Sequence, residues 1–317
     1  MRIEFEQGVP SKADLADLLA QWRAVTIPAK MKYAWMLAVR VRWSTYAAAT
    51  RDLEQPFQDL NHDEVADLLD KGHAPARRCE AAQLDDVRAY DQAMVQMLQL
   101  WDDEEPLTID HLHAAHRTMM DLRFDNGIEN DDWPLGAFKT KPTAAGAAYT
   151  MAECAHPAVV PALMDEIVCR ANVRVAAMLR SPGQFDPSWA IAALHYELIA
   201  IQPYADGNHR IAIWLDNWMC MAAGYPPLVI HENRYDEYLR ALSAMKSFAL
   251  PDDPQVDLPT VRQMAISAID IQPLRDFYAL RLAESLAFST AIAGGHAVAL
   301  IDGGHAAELE HDLGGPP

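Results

Sequence analysis

The chain has 317 residues, 51% hydrophobic and 22% charged, enough for a large buried core and ordinary for a globular protein. Its 45 acidic and 26 basic side chains leave a formal charge of −19, which repels polyphosphates at long range and excludes a general nucleic-acid binder. Any anion site must be local, built from backbone dipoles and one or two cations.

In chain order, apolar residues recur at helical spacing over 13–24, and a longer Ala-, Leu- and Arg-rich helix is predicted over 30–53. Asn61, with Glu64 three residues on, gives a capped start to a helix that ends at Gly72. Further helices are predicted over 80–102 and from Leu107-Thr108-Ile109 to about Asn126-Gly127. Over 133–149 the texture changes: Pro134, Gly136 and Pro142 interrupt small, alternating residues, with Gly146 beyond them. That pattern predicts a short β-hairpin flap. Helices resume at Val160-Pro161, and Asp186-Pro187 caps and opens the next.

The stretch 201–224 reads IQPYADGNHRIAIWLDNWMCMAAG. Pro203 breaks the preceding helix, Asp206-Gly207-Asn208 makes a tight turn, and an almost uncharged run follows to a stop at Gly224. This is a buried central helix. Beyond it come a helix from about Arg234, a proline-bearing link, a final helix over 261–293 and a tail, 294–317, expected to be disordered. The fold class expected is all-α with one small β excursion. It divides into an N-terminal helical region (1–105), a core (106–250), a C-terminal helical extension (251–293) and the tail.

Cys79, Cys154, Cys169 and Cys220 show no CxxC pair or zinc spacing and read as buried thiols of a reducing compartment. The first residues lack a basic then apolar leader, and no uncharged apolar window is long enough to span a bilayer. A cytoplasmic protein with no membrane partner is expected.

The central turn carries the chemistry. A phosphate at the start of the central helix would meet the amides of Gly207, Asn208 and His209. Gly207 would permit close approach, Asp206 could hold a divalent cation, and Arg210 could neutralise a terminal phosphate. The competing reading is an ordinary helix entry, with Asp206 as its cap and Arg210 as a surface charge. His113 and His116 lie three apart on one helix face, a conceivable metal pair that nothing completes, and read as structural. His195 reads as a core histidine satisfied by a backbone partner. The flap lysines Lys139 and Lys141 could touch a target or a phosphate, or simply be solvated.

The wider stretch QPYADGNHRIAI resembles the signature HPFxxGNGRxxR of the Fic (Fido) family. WAIAALHYELIAI before it, the flap LGAFKTKP, HPAVVPALMDEI, NRYDEYLRAL and TIDHLHAAHRTMM resemble further segments of that family, in order, over roughly 107–245. The resemblance implies a Fic-type helical bundle with a flap, a 106–250 Fic-like core, ATP with Mg²⁺ as cofactors, and AMP transfer (AMPylation) to a protein hydroxyl. It implies nucleotide binding by Gly207, Asn208, His209 and Arg210, with Mg²⁺ on Asp206. It also places Gln202 where the family has its catalytic His, His209 at the second Gly, and Ile213 at the closing Arg. An amide cannot serve as general base, and losing that step is worth about 10² to 10⁴ in rate. His209 is a candidate replacement base. Thr50 to Gln55 resembles the family's inhibitory motif (S/T)xxxE(G/N), with Glu54 as its acid and Gln55 departing, although Ile213 gives Glu54 nothing to pair with.

Three functions remain open at this stage. They are a nucleotide-binding Fic protein with AMP transfer lost or altered, an active divergent Fic-type transferase acting on a protein hydroxyl, and an interaction module that binds no nucleotide. The partner, whether protein target or regulator, is unspecified, and a homodimer is compatible.

Overall fold

The computed structural model describes residues 8–27, 29–49, 62–74, 81–124, 134–143, 154–228, 230, 234–245 and 271–293. They form α1 (Lys12–Ala24), α2 (Ala29–Ala49), α3 (His62–Lys71), α4 (Ala81–Asp102), α5 (Ile109–Phe124), α6 (Val160–Arg180), α7 (Pro187–Ile201), α8 (Asn208–Ala222), α9 (Tyr235–Ser243) and α10 (Gln272–Ala293). A 3-10 turn, Pro157–Val159, leads into α6. The fold is all-α.

α8 sits at the centre, as its composition requires. Every residue of α8 is buried except His209 and Ala222, and every residue of α7 except Trp189 and Ala200. Helices apolar all round must be surrounded, so α4, α5, α6 and α7 pack against α8, and α10 against α7. α7 starts where its caps dictate: the Asp186 carboxylate accepts from the N–H groups of Ser188 and Trp189, with Pro187 in the first turn. α8 stops where Gly224 N–H closes on Met221 C=O.

Of the N-terminal helices, α1, α2 and α4 are part of this core, while α3 packs Val65, Ala66 and Leu68 with Val41 and Val87 in a second cluster. One hydrophobic cluster runs from Leu15 of α1 to Ile292 of α10. Buried indoles stitch it at long range: Trp214 Nε1 donates to Ala93 C=O (2.9 Å), Trp43 Nε1 to Leu228 C=O (2.7 Å) and Trp35 Nε1 to Ser289 Oγ (3.2 Å). Arg40 of α2 grips Asp91 of α4 with both ends of its fork, at 2.7 and 2.6 Å.

Of the predicted flap, 134–143 is described, and 133 and 144–149 lie outside the described residues. Among the described residues there is no strand, and 134–143 runs as turns and bends. Its backbone pairs across to another loop: Lys139 N–H donates to Pro203 C=O (2.9 Å). The tail (294–317), Asn126, Gly127, the head of the final predicted helix and the inhibitory-like Thr50 and Glu54 lie outside the described residues.

Candidate functional site

The loop between α7 and α8 is knitted from its own side chains. Gln202 caps α7 in the left-handed region (φ +49°), its N–H reaching Leu198 C=O, and this turn aims the chain at Pro203. The Gln202 amide is used at both ends: Nε2 donates to Ile199 C=O (2.9 Å), and Oε1 accepts from Asn208 Nδ2 (2.8 Å). Asn208 is buried and braces the same loop, its Oδ1 accepting from Tyr204 N–H and its Nδ2 donating to Tyr204 C=O, both at 2.9 Å. At the two positions the sequence marks as base and cradle, the side chains act as struts.

Gly207 is the N-cap of α8, at φ +75°, with no side-chain cap. An N-cap Asp206 is therefore corrected by one residue; Asp206 Oδ1 instead accepts from Gly207 N–H (2.6 Å), and its side chain is exposed. The reason for the glycine is also different. A Cβ at 207 would lie 2.9 Å from Met120 Sδ, so its missing side chain faces α5. The first-turn amides of α8, those of Asn208, His209 and Arg210, run out of the helix end beside Asp206, the geometry that favours an anion. Asp206 supplies one exposed carboxylate, which suits Mg²⁺, an ion that takes most of its oxygens from phosphate and water. Among the described residues no group of three or more His, Cys, Asp or Glu could hold a metal.

α5 clamps the loop from below. His116 Nδ1 accepts from Gly136 N–H (3.0 Å), so the proton sits on Nε2, which donates to Asp206 C=O (3.1 Å). The ring stacks on Tyr204, with centroids 4.0 Å apart, while His113 Nδ1 lies 3.1 Å from Tyr204 Oη. Burial pulls the His116 pKa down to about 4, keeping it neutral. The two histidines are loop supports, and His116 ties the flap to the loop. On the flap, Lys139 is 3% exposed, and its Nζ donates to Thr143 Oγ1 (2.9 Å) and Ile201 C=O (3.2 Å). Burial lowers its pKa to about 8. Lys141 is exposed.

Arg210 is no surface charge. It is buried, with Nη1 3.8 Å from Asp86 Oδ1 on α4 and 3.8 Å from Met120 Sδ. Ile213 is buried in the core. His209 Nδ1 lies 2.9 Å from Tyr238 Oη on α9, which in turn lies 2.8 Å from His195 Nε2. Burial, then the neighbouring His195, lowers the His209 pKa to about 4. Among the described residues His195 has side-chain partners in place of the backbone partner expected; its Nδ1 is 2.8 Å from Asp216 Oδ2 and 2.8 Å from Tyr278 Oη. Sequence reasoning missed Asp86, Tyr238 and Tyr278 entirely. The legible signal was Asp216, a carboxylate in the middle of an apolar helix.

An all-α bundle whose buried central helix opens at a glycine-centred, anion-favouring loop beneath a flap defines a class of protein built around that loop. Residues 106–220 match the Fic/DOC family model. Over 59 residues it is 42% identical to "Protein adenylyltransferase Fic" of Aedes aegypti, and over 60 residues 40% identical to that of Nematostella vectensis. These stretches are 18% and 19% of this chain but only 12% and 14% of those relatives, so the chain matches a small part of their length. Among solved structures, a Fic domain containing signaling protein from Bacteroides thetaiotaomicron superimposes with a TM-score of 0.72 at 22% identity, covering 93% of this chain and all of that one. Fic-1 from C. elegans gives 0.63 at 18% identity, covering 88% and 70%. At such identities the likeness is one of fold. Among the described residues no helix is long and apolar enough to cross a membrane.

Proposed function

We propose that the α7–α8 loop binds the phosphates of a nucleoside triphosphate, ATP first among them, with Mg²⁺ on Asp206, and that AMP transfer by the family's usual route is lost or altered. The observation that carries this reading is Gln202: its amide is committed to Ile199 C=O and Asn208 Nδ2, and an amide takes no proton near neutral pH. What remains is a helix start with Gly207, Asn208, Arg210 and an exposed carboxylate beside it. The names of the Aedes and Nematostella relatives, adenylyltransferases, support a nucleotide as the ligand. Cys220 is buried as expected, whereas Cys169 is exposed; both are free thiols, which supports a reducing, cytoplasmic setting. A protein, as target or as regulated partner, is the macromolecule this reading implies.

A second reading, an active transferase using a different base, is favoured by one contact, the hydrogen bond between His209 and Tyr238. Calorimetry with ATP, GTP, UTP and CDP-choline, with and without Mg²⁺, tests the binding. Mg²⁺-dependent heat that is lost in Arg210→Ala is the expected result, and no heat from any of them overturns the proposal. Labelled nucleotide with cell lysate separates the two readings. Labelling that appears only in Gln202→His, by a factor of about 10² to 10⁴, supports loss of the base. Labelling by the native chain supports the divergent enzyme.

A further inference from the structure

Behind the loop, a buried polar chain gathers one group from each of α7, α8, α9 and α10. His195, Asp216 and Tyr278 are 0% exposed and Tyr238 is 1% exposed. Hydrogen-bond logic places most of its protons. Tyr278 donates to Asp216 Oδ2 (2.6 Å), and His195 Nδ1 faces that same oxygen and the Tyr278 oxygen, both acceptors toward it, so Nδ1 carries a hydrogen. His195 Nε2 then faces Tyr238 Oη, which faces His209 Nδ1.

A phenol has one proton, so two arrangements satisfy both contacts. In the first, Tyr238 donates to His195 Nε2 and accepts from His209 Nδ1–H, and both rings are neutral. In the second, Tyr238 donates to His209 Nδ1 and accepts from His195 Nε2–H. His195 is then an imidazolium beside Asp216, and His209 is neutral with its hydrogen on Nε2. The two differ by one proton.

We propose that Tyr238, His195 and Asp216 form a proton relay through which His209 takes up a proton at Nε2 and passes its charge inward to the His195–Asp216 pair. The incoming proton bonds to Nε2; the Nδ1 proton moves to the Tyr238 oxygen, and the Tyr238 proton moves to His195 Nε2. No other reactant is consumed. The cation comes to rest beside a carboxylate that needs it, since Asp216 Oδ1 is buried with no hydrogen-bond partner among the described residues. An imidazolium at His209 itself is opposed by burial, by His195 and by Arg210, with only Asp206 favouring it. Burial raises the Asp216 pKa, and the contacts with His195 and Tyr278 oppose that rise, so a cation arriving at His195 favours the carboxylate form. Three groups thus act as positioning residues for the histidine that stands in the phosphate cradle. The use of the relay in a reaction rests on the second functional reading; the relay itself is a property of the chain without nucleotide.

Nitrogen-15 NMR of the histidine-labelled full chain, titrated downward in pH with no nucleotide, tests it. The expected result is one shared midpoint at which His195 gains the imidazolium signature while His209 switches from the Nδ1–H to the Nε2–H tautomer. Tyr238→Phe keeps the ring and removes the oxygen, and should uncouple the two; Asp216→Asn should abolish the His195 imidazolium over the same range. Separate midpoints in the native chain, or a His209 tautomer that never changes, overturn the relay, and the native titration decides even if a variant fails to fold. A coupled titration with silent nucleotide calorimetry would sink the binding proposal and leave the relay standing.

Discussion

Gly207 carries two constraints at once. Its φ of +75° is a region L-residues rarely occupy, and a Cβ there would meet Met120 Sδ at 2.9 Å. The sulfur belongs to a flexible thioether and can give way, whereas the backbone angle cannot relax without moving the loop. Gly207→Ala is therefore expected to cost about 1–3 kcal/mol, read as a lower urea midpoint. Gly207→Asn brings the same Cβ but tolerates positive φ, so it should cost less than alanine. Equal losses for both would assign the cost to the contact with Met120, and no loss for either would remove the constraint altogether. A local constraint holds at 202 as well: what matters there is a side chain that can tie Ile199 to Asn208 from a left-handed cap.

Between elements, His116 is the link that joins α5, the loop and the flap, and its neutral state is part of the link. Its pKa lies near 4 in the folded chain against about 6.5 for a free imidazole, because burial penalises the cation. The unfolded chain thus binds the proton more readily, so this stability is fully present above about pH 6.5 and is lost as pH falls toward 4. One ring displaced this far corresponds to as much as about 3 kcal/mol, and His209 acts in the same direction. Urea midpoints should fall between pH 7 and pH 5, and His116→Gln should flatten that fall; an unchanged slope in the variant would show that other groups carry it. Helices and caps were legible in the sequence because they are local: Asp186-Pro187 opens α7 and Gly224 closes α8 where the residues say they should. The described half of the flap takes a backbone partner that local sequence does not announce: Pro203 lies 64 residues away from Lys139. The partners of the loop's side chains were not legible. Nothing near Arg210 in sequence announces Asp86, and only the oddity of Asp216 in an apolar helix hinted at the chain through His195 to Tyr238.

For the molecule as a whole, a continuous core from α1 to α10 holds the loop rigidly, while the net charge of −19 opposes the ligand proposed for it. These two facts act over different distances. Attraction at the α8 start comes from backbone amides and the buried Arg210, whose fields act within a few ångströms and are poorly screened. Repulsion comes from the whole surface and reaches about 30 Å at 0.01 M salt but only about 8 Å at 0.15 M. Salt should therefore remove the opposing term first. Association of a fluorescent ATP analogue, followed by stopped flow at fixed Mg²⁺, should speed up roughly several-fold across that range, the reverse of the slowing seen when opposite charges steer an encounter. Slower association at higher salt would mean that the local positive field extends beyond the loop and outweighs the acidic surface. The anion site would then be larger than the first turn of α8 and would have to recruit cations from segments flanking it.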